Sequence, residues 1–239
     1  MIAVGFDFDH TLGLDHGLEK EAFARLAREL GAPTALEEQG QHLHLVEDLL
    51  DRFRTDKITL DAAAEAFVAA LSEIQAGVEG QPPGMHYRRI CYALVDELVR
   101  PLEGAAEVIA ALNDAGIPTA ILTNGWSPLQ QLKIARALGE FPGPILVSDQ
   151  IGTLKPADGA FARLAHALDA PRGEIWYVGD NPAVDVAGAH AAGMRAVWFN
   201  WEHHPYPPDI ARPDAEIERL ADLPSVILSE AKRSRRTAD

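Results

Sequence analysis

Hydrophobic residues follow different patterns in the first hundred residues and in the rest of the chain. Over residues 18–30 they recur every three or four positions, which is the spacing of an amphipathic helix. Two further stretches, beginning at Leu60 and Tyr87, repeat this spacing, and Thr59 stands where a helix N-cap is expected. Because no run typical of a strand occurs over residues 15–100, we predict a helical segment there with a small core of its own.

Beyond that segment, short apolar stretches alternate with helical patterns. Including the start of the chain, strands are predicted at residues 2–6, 118–122, 144–147, 174–178 and 195–199. Strands joined by helices pair in parallel through right-handed crossovers. The predicted fold class is therefore α/β. It comprises a doubly wound, Rossmann-like parallel sheet from residues 1–14 and 101–239, with residues 15–100 as an inserted α-helical domain.

Composition narrows the classes of function. The chain has 239 residues, 47% of them hydrophobic, which is enough for a sizeable core. Its formal net charge of −15 argues against a nucleic-acid surface, which needs clustered cations. No apolar run reaches the roughly 18 residues of a membrane span, so we expect a cytoplasmic protein. The single cysteine, Cys91, lies on the apolar side of a helical pattern and is predicted to be buried and unreactive.

Polar residues that could take part in catalysis or metal binding follow the ends of three predicted strands. They are Asp7 and Asp9, then Thr123 and Asn124, then Asp180 and Asp185, and Lys155 stands in a loop just before a helix. The carboxyl ends of parallel strands meet at one edge of the sheet, so these side chains should converge there. Each residue alone could equally cap a turn or face solvent. Together, several carboxylates beside one ammonium group are typical of a hard-cation site that handles phosphate.

The order of these residues resembles the haloacid dehalogenase-like hydrolase superfamily. Its four motifs correspond to DFDHTL at residues 7–12, ILTNG at 121–125, Lys-Pro at 155–156 and GDNPAVD at 179–185. The inserted helical segment is similar to the cap domain of the subfamily whose cap is entirely α-helical. Residues 179–200 also resemble the nucleotidase-like and phosphoglycolate-phosphatase-like branch. The resemblance therefore extends over nearly the whole chain.

The resemblance implies roles for the acidic residues. Asp7 would be the nucleophile that attacks phosphorus and becomes an aspartyl phosphate, and Asp9 would protonate the leaving oxygen and then activate water. Mg²⁺ would be held by the Asp7 carboxylate, the Asp9 backbone carbonyl and Asp180. Asp185 would orient Lys155 or a metal-bound water without binding the metal itself.

The resemblance also implies how a phosphoryl group would be held. The hydroxyl of Thr123 and the backbone N–H of Asn124 would bind its oxygens, and Lys155 would offset the negative charge of the nucleophile and the transferring group. Phosphoryl transfer depends mainly on alignment and charge neutralisation, and these residue types provide both. The expected partner is a small-molecule phosphate ester.

Asp9 favours one branch of the superfamily. A halide leaving group needs no proton, whereas the alcohol released from a phosphate ester does, so the sequence predicts a phosphatase. A phosphomutase of the same fold and a non-enzymatic phospho-binding module stay open as alternatives. Within the helical segment the basic residues are either candidates for substrate selection or solvated surface groups. They are Arg52, Arg54, Lys57, Arg88 and Arg89.

Overall fold

The computed structural model describes residues 2–31, 41–55, 57–71 and 82–236, with only the backbone given for residues 41–42 and 230–236. The chain divides into two compact units. Met1–Leu14 and Arg100–Asp239 form the α/β unit, and Asp15–Val99 form the helical unit. Among the described helices, none combines the length and hydrophobicity needed to cross a bilayer.

The strands of the described residues all belong to the α/β unit. In chain order they are β1 (Ala3–Phe6), β2 (Gly13–Leu14), β3 (Arg100–Pro101), β4 (Thr119–Thr123), β5 (Ile145–Val147), β6 (Ile175–Gly179), β7 (Arg195–Phe199) and β8 (Ala215–Ile217). In the described part of the chain, six of them form a sheet in the order β5-β4-β1-β6-β7-β8, and every neighbouring pair is parallel. The short β2 and β3 form a separate antiparallel pair. The central position of β1 brings its carboxyl end between those of β4 and β6.

Helices occur in both units. The helical unit contains α1 (Leu18–Glu29), α2 (Gln41–Arg54), α3 (Leu60–Ala70) and α4 (Pro83–Leu98). The α/β unit contains α5 (Ala105–Asp114), α6 (Leu129–Leu138), α7 (Ser148–Ile151), α8 (Asp158–Ala167), α9 (Ala187–Ala191) and α10 (Leu223–Arg236). A π-helical turn at Pro182–Val186 leads into α9.

Both faces of the sheet are buried, because side chains along each strand alternate between two cores. On one face Val4 and Phe6 pack with apolar residues of α5, α6 and α10. On the other face Ala3 and Tyr177 pack with residues of α8 and α9, including Phe161. Helices on both faces of a parallel sheet confirm the predicted α/β, doubly wound fold.

The C-terminal region contains a strand that was not predicted. This strand, β8, has three residues, its central Glu216 is exposed, and it pairs in parallel with β7. Because the charged Glu216 separates Ala215 from Ile217, β8 has no apolar run that would indicate a strand. Beyond β8 the backbone of residues 232–236 belongs to α10.

The helical unit has its own aromatic core. The ring of Phe23 lies 4.8 Å from that of Phe67 and 4.4 Å from that of Tyr87, measured between centroids. The hydroxyl of Thr59 accepts a hydrogen bond from the N–H of Ala62 at 3.1 Å and caps α3, as predicted. Cys91 is also buried, as predicted. The helical pattern that predicts α3 continues to Ile74, and a loop is predicted at residues 77–84 from its Gly and Pro content. Ile74 and residues 77–81 lie outside the described residues, whereas α4 already begins at Pro83.

The arginines proposed for substrate selection form ion pairs within the helical unit. Arg88 binds Asp61 through two nitrogens, and Arg89 contacts Glu29. Arg54 and Arg52 pair in the same way with Glu19 at 2.9 Å and with Asp48 at 3.5 Å. These pairs reduce the positive charge that the four arginines can offer to an anionic ligand.

Candidate active site

Asp7 lies directly at the carboxyl end of β1. Its N–H donates to the carbonyl of Val178 at 2.8 Å, which continues the β1–β6 hydrogen bonds by one residue. The chain then turns sharply, because the carbonyl of the buried Phe8 accepts the N–H groups of Leu12 and Gly13 at 2.9 and 3.0 Å. The strand and the turn together fix the backbone that carries Asp7.

Lys155 joins two carboxylates at this edge of the sheet. Its Nζ lies 2.8 Å from Asp7 Oδ1 and 2.8 Å from Asp185 Oδ1. The other oxygen of Asp185 accepts the N–H of Asn181 at 3.0 Å, so both Asp185 oxygens are engaged. Carboxylate oxygens of Asp7, Asp180 and Asp185 all lie within 4.8 Å of one another. The result is a cluster of three acids around one ammonium group.

The electrostatics of this cluster show an excess of negative charge. Burial raises the pKa of Asp7 to about 7, although the neighbouring ammonium of Lys155 opposes that rise. Burial, followed by repulsion from Asp7 and Asp185, raises the pKa of Asp180 to about 8. For Lys155, burial alone would lower the pKa, but the two carboxylates outweigh it and hold the pKa well above its usual value.

A divalent cation fits this donor set. Carboxylate oxygens are the ligands that Mg²⁺ and similar hard cations prefer. Lys155 alone does not compensate the three clustered carboxylates, since two of them retain raised pKa values. Asp7 and Asp180 are the acids best placed to bind a cation, because Asp185 has both oxygens in other contacts.

Gly179 is required for the position of Asp185. A Cβ at this last residue of β6 would lie only 2.3–2.5 Å from carboxylate and Cβ atoms of Asp185. The backbone of Asp180 is held from the neighbouring strand, since Trp198 Nε1 donates to the Asp180 carbonyl at 2.8 Å. Gly179 therefore leaves space for the Asp185 side chain against the end of β6, while the fixed backbone of Asp180 holds its carboxylate near those of Asp7 and Asp185.

Asn124 holds the loop that carries Lys155. Its Nδ2 donates to the backbone carbonyl of Lys155 at 2.9 Å, and its Oδ1 accepts the N–H of Lys155 at 2.8 Å. A side-chain amide that pairs with both backbone groups of one residue fixes that residue as a neighbouring strand would. The Asn124 side chain thus links the end of β4 to the Lys155 loop.

A second group of polar side chains surrounds Asp9. Gln130 Nε2 donates to Asp9 Oδ2 and to Thr123 Oγ1, both at 2.7 Å. The Nζ of Lys133 forms an ion pair with the other Asp9 oxygen, Oδ1. Gln130, Lys133 and Thr123 are buried, whereas Asp9 is partly exposed. The Asp9 side chain is therefore partly exposed, while one of its oxygens accepts a hydrogen bond and the other lies in an ion pair.

The structure places the sequence-derived residues in two adjacent groups. Asp7, Asp180, Asp185 and Lys155 form the first group, and Asp9 and Thr123 belong to the second, with Asn124 linking their backbones. Gln130 and Lys133 were not predicted from the sequence, and only one ammonium group was expected at this edge. The available signal was two polar residues, three positions apart, on the side of a helical pattern that also carries Leu129 and Ile134.

Comparison with known proteins identifies the family. The family model described as haloacid dehalogenase-like hydrolase matches residues 1–193. This chain therefore belongs to the haloacid dehalogenase-like hydrolases. It is 38% identical over 133 residues to a phosphoserine phosphatase of Thermus thermophilus, and the aligned region covers 55% of this chain and 52% of that protein. It is 30% identical over 133 residues to the pyrimidine 5′-nucleotidase YjjG of Escherichia coli, covering 55% and 58%. Each match thus spans little more than half of the relative.

Solved structures share the fold over almost the whole chain. The HAD-hydrolase YfnB of Bacillus subtilis, solved with magnesium bound, gives a TM-score of 0.72 at 24% identity and covers 95% of this chain and 98% of that one. A 2-haloacid dehalogenase of Pseudomonas syringae gives a TM-score of 0.68 at 25% identity, with 96% and 99% covered. Both phosphatases and dehalogenases therefore occur among the relatives, and the reaction must be inferred from the site.

Proposed function

We propose that this hydrolase is a Mg²⁺-dependent phosphatase that cleaves a small-molecule phosphate monoester through an aspartyl phosphate at Asp7. The observation that carries the proposal is the carboxylate of Asp9 near Asp7, held by a hydrogen bond from Gln130 at one oxygen and an ion pair with Lys133 at the other. A carboxyl group at this position can protonate an alcohol leaving group, which is a requirement of ester cleavage. Halide release has no such requirement, so the site favours a phosphatase over a dehalogenase.

The proposed first step transfers the phosphoryl group to the protein. A carboxylate oxygen of Asp7 forms a bond to phosphorus while the bond from phosphorus to the leaving oxygen breaks, and Asp9 gives that oxygen its proton. In the second step Asp9 takes a proton from water as the water oxygen attacks phosphorus. The bond between phosphorus and the Asp7 oxygen breaks, orthophosphate leaves, and both aspartates return to their starting states.

The other side chains align and neutralise the charge. Lys155, already 2.8 Å from Asp7, offsets the charge on the nucleophile and on the transferring group. Thr123 and the N–H of Asn124, at the end of β4, would bind phosphoryl oxygens. Held by Asp7, the Asp9 carbonyl and Asp180, Mg²⁺ would supply further neutralisation of the phosphoryl charge. Asp185 orients Lys155 through its 2.8 Å contact.

Two of the relatives support a small phosphate monoester as the substrate class, because their names are those of a phosphoserine phosphatase and a nucleotidase. We further propose that residues 1–14 and 101–239 carry out the chemistry, with residues 15–100 as a cap that selects the ester. A phosphomutase would use the same residues but return the phosphoryl group to an acceptor alcohol. A non-enzymatic phospho-binding module would need the same pocket without turnover.

The test is turnover of p-nitrophenyl phosphate by purified protein. We expect hydrolysis with Mg²⁺, loss of activity in EDTA, and poor replacement by Ca²⁺, whose looser coordination misaligns the reacting groups. Asp7→Asn should fold, fail to hydrolyse the ester and fail to bind beryllium fluoride as a phosphoryl mimic. A chloride-release assay with 2-chloropropionate provides the comparison with dehalogenases.

Each outcome separates the candidates. Undiminished turnover in EDTA would contradict the metal requirement, and substantial turnover by Asp7→Asn would move the nucleophile elsewhere. Chloride release without ester hydrolysis would identify a dehalogenase. Transfer of phosphate to an added sugar phosphate in preference to water would identify a mutase, and tight phosphate binding with no turnover would identify a binding module.

A further inference from the structure

Helix α6 brings to Asp9 two side chains that lie outside the four sequence motifs. Gln130 and Lys133 are three residues apart on one face of the helix, and each is only 3% exposed. Gln130 donates to one oxygen of Asp9 at 2.7 Å, and Lys133 forms an ion pair with the other. Each oxygen of the Asp9 carboxylate is therefore held by a different residue of the same helix.

Fixing both oxygens restricts the rotation of the Asp9 side chain. Asp9 stands in a turn and is partly exposed, so its own backbone does not determine where the carboxylate points. A general acid acts only when its oxygen lies within hydrogen-bonding reach of the leaving group. Two donors on a packed helix supply that constraint, because α6 is anchored in the core through Leu129 and Ile134.

Gln130 also orients the hydroxyl of Thr123. A carboxylate is only an acceptor, so the amide group that faces Asp9 is the NH₂, and the same nitrogen lies 2.7 Å from Thr123 Oγ1. The Thr123 oxygen thus accepts from Gln130, while its own hydrogen is directed to the backbone carbonyl of Asn124 at 3.3 Å. Gln130 therefore links the candidate acid to a candidate phosphate-binding hydroxyl.

Gly125 makes room for this arrangement. A Cβ at Gly125 would lie 2.8 Å from Cγ and 3.0 Å from Cδ of Gln130. The residue also has a φ of 145°, a conformation that favours glycine. The glycine that ends the Thr-Asn-Gly stretch allows the Gln130 side chain to pass beside the backbone and reach Asp9.

We propose that Gln130 and Lys133 are positioning residues that orient Asp9 for proton transfer, and that Gln130 in addition orients Thr123. The inference rests on the proposed phosphatase function. The proton moves from Asp9 to the leaving oxygen as the bond from phosphorus to that oxygen breaks and a carboxylate oxygen of Asp7 bonds to phosphorus. Loss of either positioning residue should therefore slow the cleavage of esters with strongly basic leaving groups more than the cleavage of esters with weakly basic ones.

The test compares phenyl phosphate with p-nitrophenyl phosphate, which have similar shapes but leaving groups of different basicity. The variants are Lys133→Met and Gln130→Met, which keep side-chain length and remove the donors. Because general-acid catalysis contributes roughly 10²–10⁴-fold, we expect kcat/KM for phenyl phosphate to fall about 100-fold and for p-nitrophenyl phosphate at most about tenfold. Arg136→Met, at an exposed position of the same helix, is the matched control and should leave the ratio unchanged.

Inhibition by inorganic phosphate separates the two residues. Its inhibition constant should stay within about twofold in Lys133→Met and rise several-fold in Gln130→Met, because only Gln130 contacts Thr123. Thermal melts establish that the variants fold, and if Lys133→Met does not, Gln130→Met decides the question. Equal losses on both esters in folded variants would overturn the positioning role while the phosphatase function stands. A wild-type protein inactive on both esters would instead overturn the proposed function.

Discussion

The stability of the metal-free protein should fall as pH rises from about 5.5 to 7.5, and Mg²⁺ should reverse the fall. The pKa of Asp7 rises from 3.8 to about 7 and that of Asp180 from 3.8 to about 8, in both cases chiefly through burial. At pH values between the ordinary pKa of an aspartate and these raised values, the folded protein retains protons that the unfolded chain has released. Unfolding then releases protons, so the free energy of unfolding decreases with increasing pH.

The size of the effect follows from the number of retained protons. One proton held over the two pH units corresponds to about 3 kcal/mol, at roughly 1.4 kcal/mol per unit. We count one proton for the pair, because the negative charge of Asp7 contributes to the raised pKa of Asp180 and the two acids therefore do not titrate independently. Carboxylates with lowered pKa values, such as Glu29 and Glu97, act in the opposite direction but complete their contribution below this window. For a chain of this size, about 3 kcal/mol corresponds to a Tm shift of roughly 6–12 °C.

The assay is a series of thermal melts in EDTA from pH 5.5 to 7.5, repeated with Mg²⁺. We expect Mg²⁺ to raise Tm more at pH 7.5 than at pH 5.5, because the cation competes with the retained protons. Asp180→Asn serves as the control, since removing one carboxylate should flatten the pH dependence and weaken the response to Mg²⁺. A Tm that is constant or increases with pH in EDTA, or an unchanged slope in Asp180→Asn, would refute the electrostatic account of the cluster.

Three further substitutions test individual contacts. Gly179→Ala should destabilise the protein by about 1–3 kcal/mol in urea unfolding, because the new Cβ overlaps Asp185; Gly173→Ala, with open space at its Cβ position, should have little effect, and equal costs would contradict the packing argument. Tyr177→Phe should cost about 1 kcal/mol by the same assay, since its buried hydroxyl donates to the β4 backbone at 2.7 Å; a neutral result would mean that this hydrogen bond contributes nothing net. Thr59→Ala should lower the stability of the helical unit by about 1 kcal/mol, measured by hydrogen exchange in α3, and unchanged protection there would argue against the cap.

The sequence by itself determined the architecture and most of the candidate site. Apolar stretches separated by helical patterns are sufficient to predict a parallel sheet, and the predicted strands through 195–199 agree with the structure to within two residues. The edge where Asp7, Thr123 and Asp180 meet follows from the same pattern, since strand direction places all carboxyl ends together. The sequence did not reveal β8, because that strand owes its position to pairing with β7 and not to an apolar run of its own.

Only the tertiary structure decided how the charges are paired. Lys155, which belongs to the Lys-Pro motif, contacts Asp7 and Asp185, while Lys133 contacts Asp9 and has no sequence spacing that distinguishes it from an exposed lysine. Gln130 is likewise one residue among many on a helical pattern until α6 packs against the sheet and points it at Asp9. Backbone elements follow from local periodicity, whereas contacts between side chains more than a hundred residues apart depend on how those elements pack.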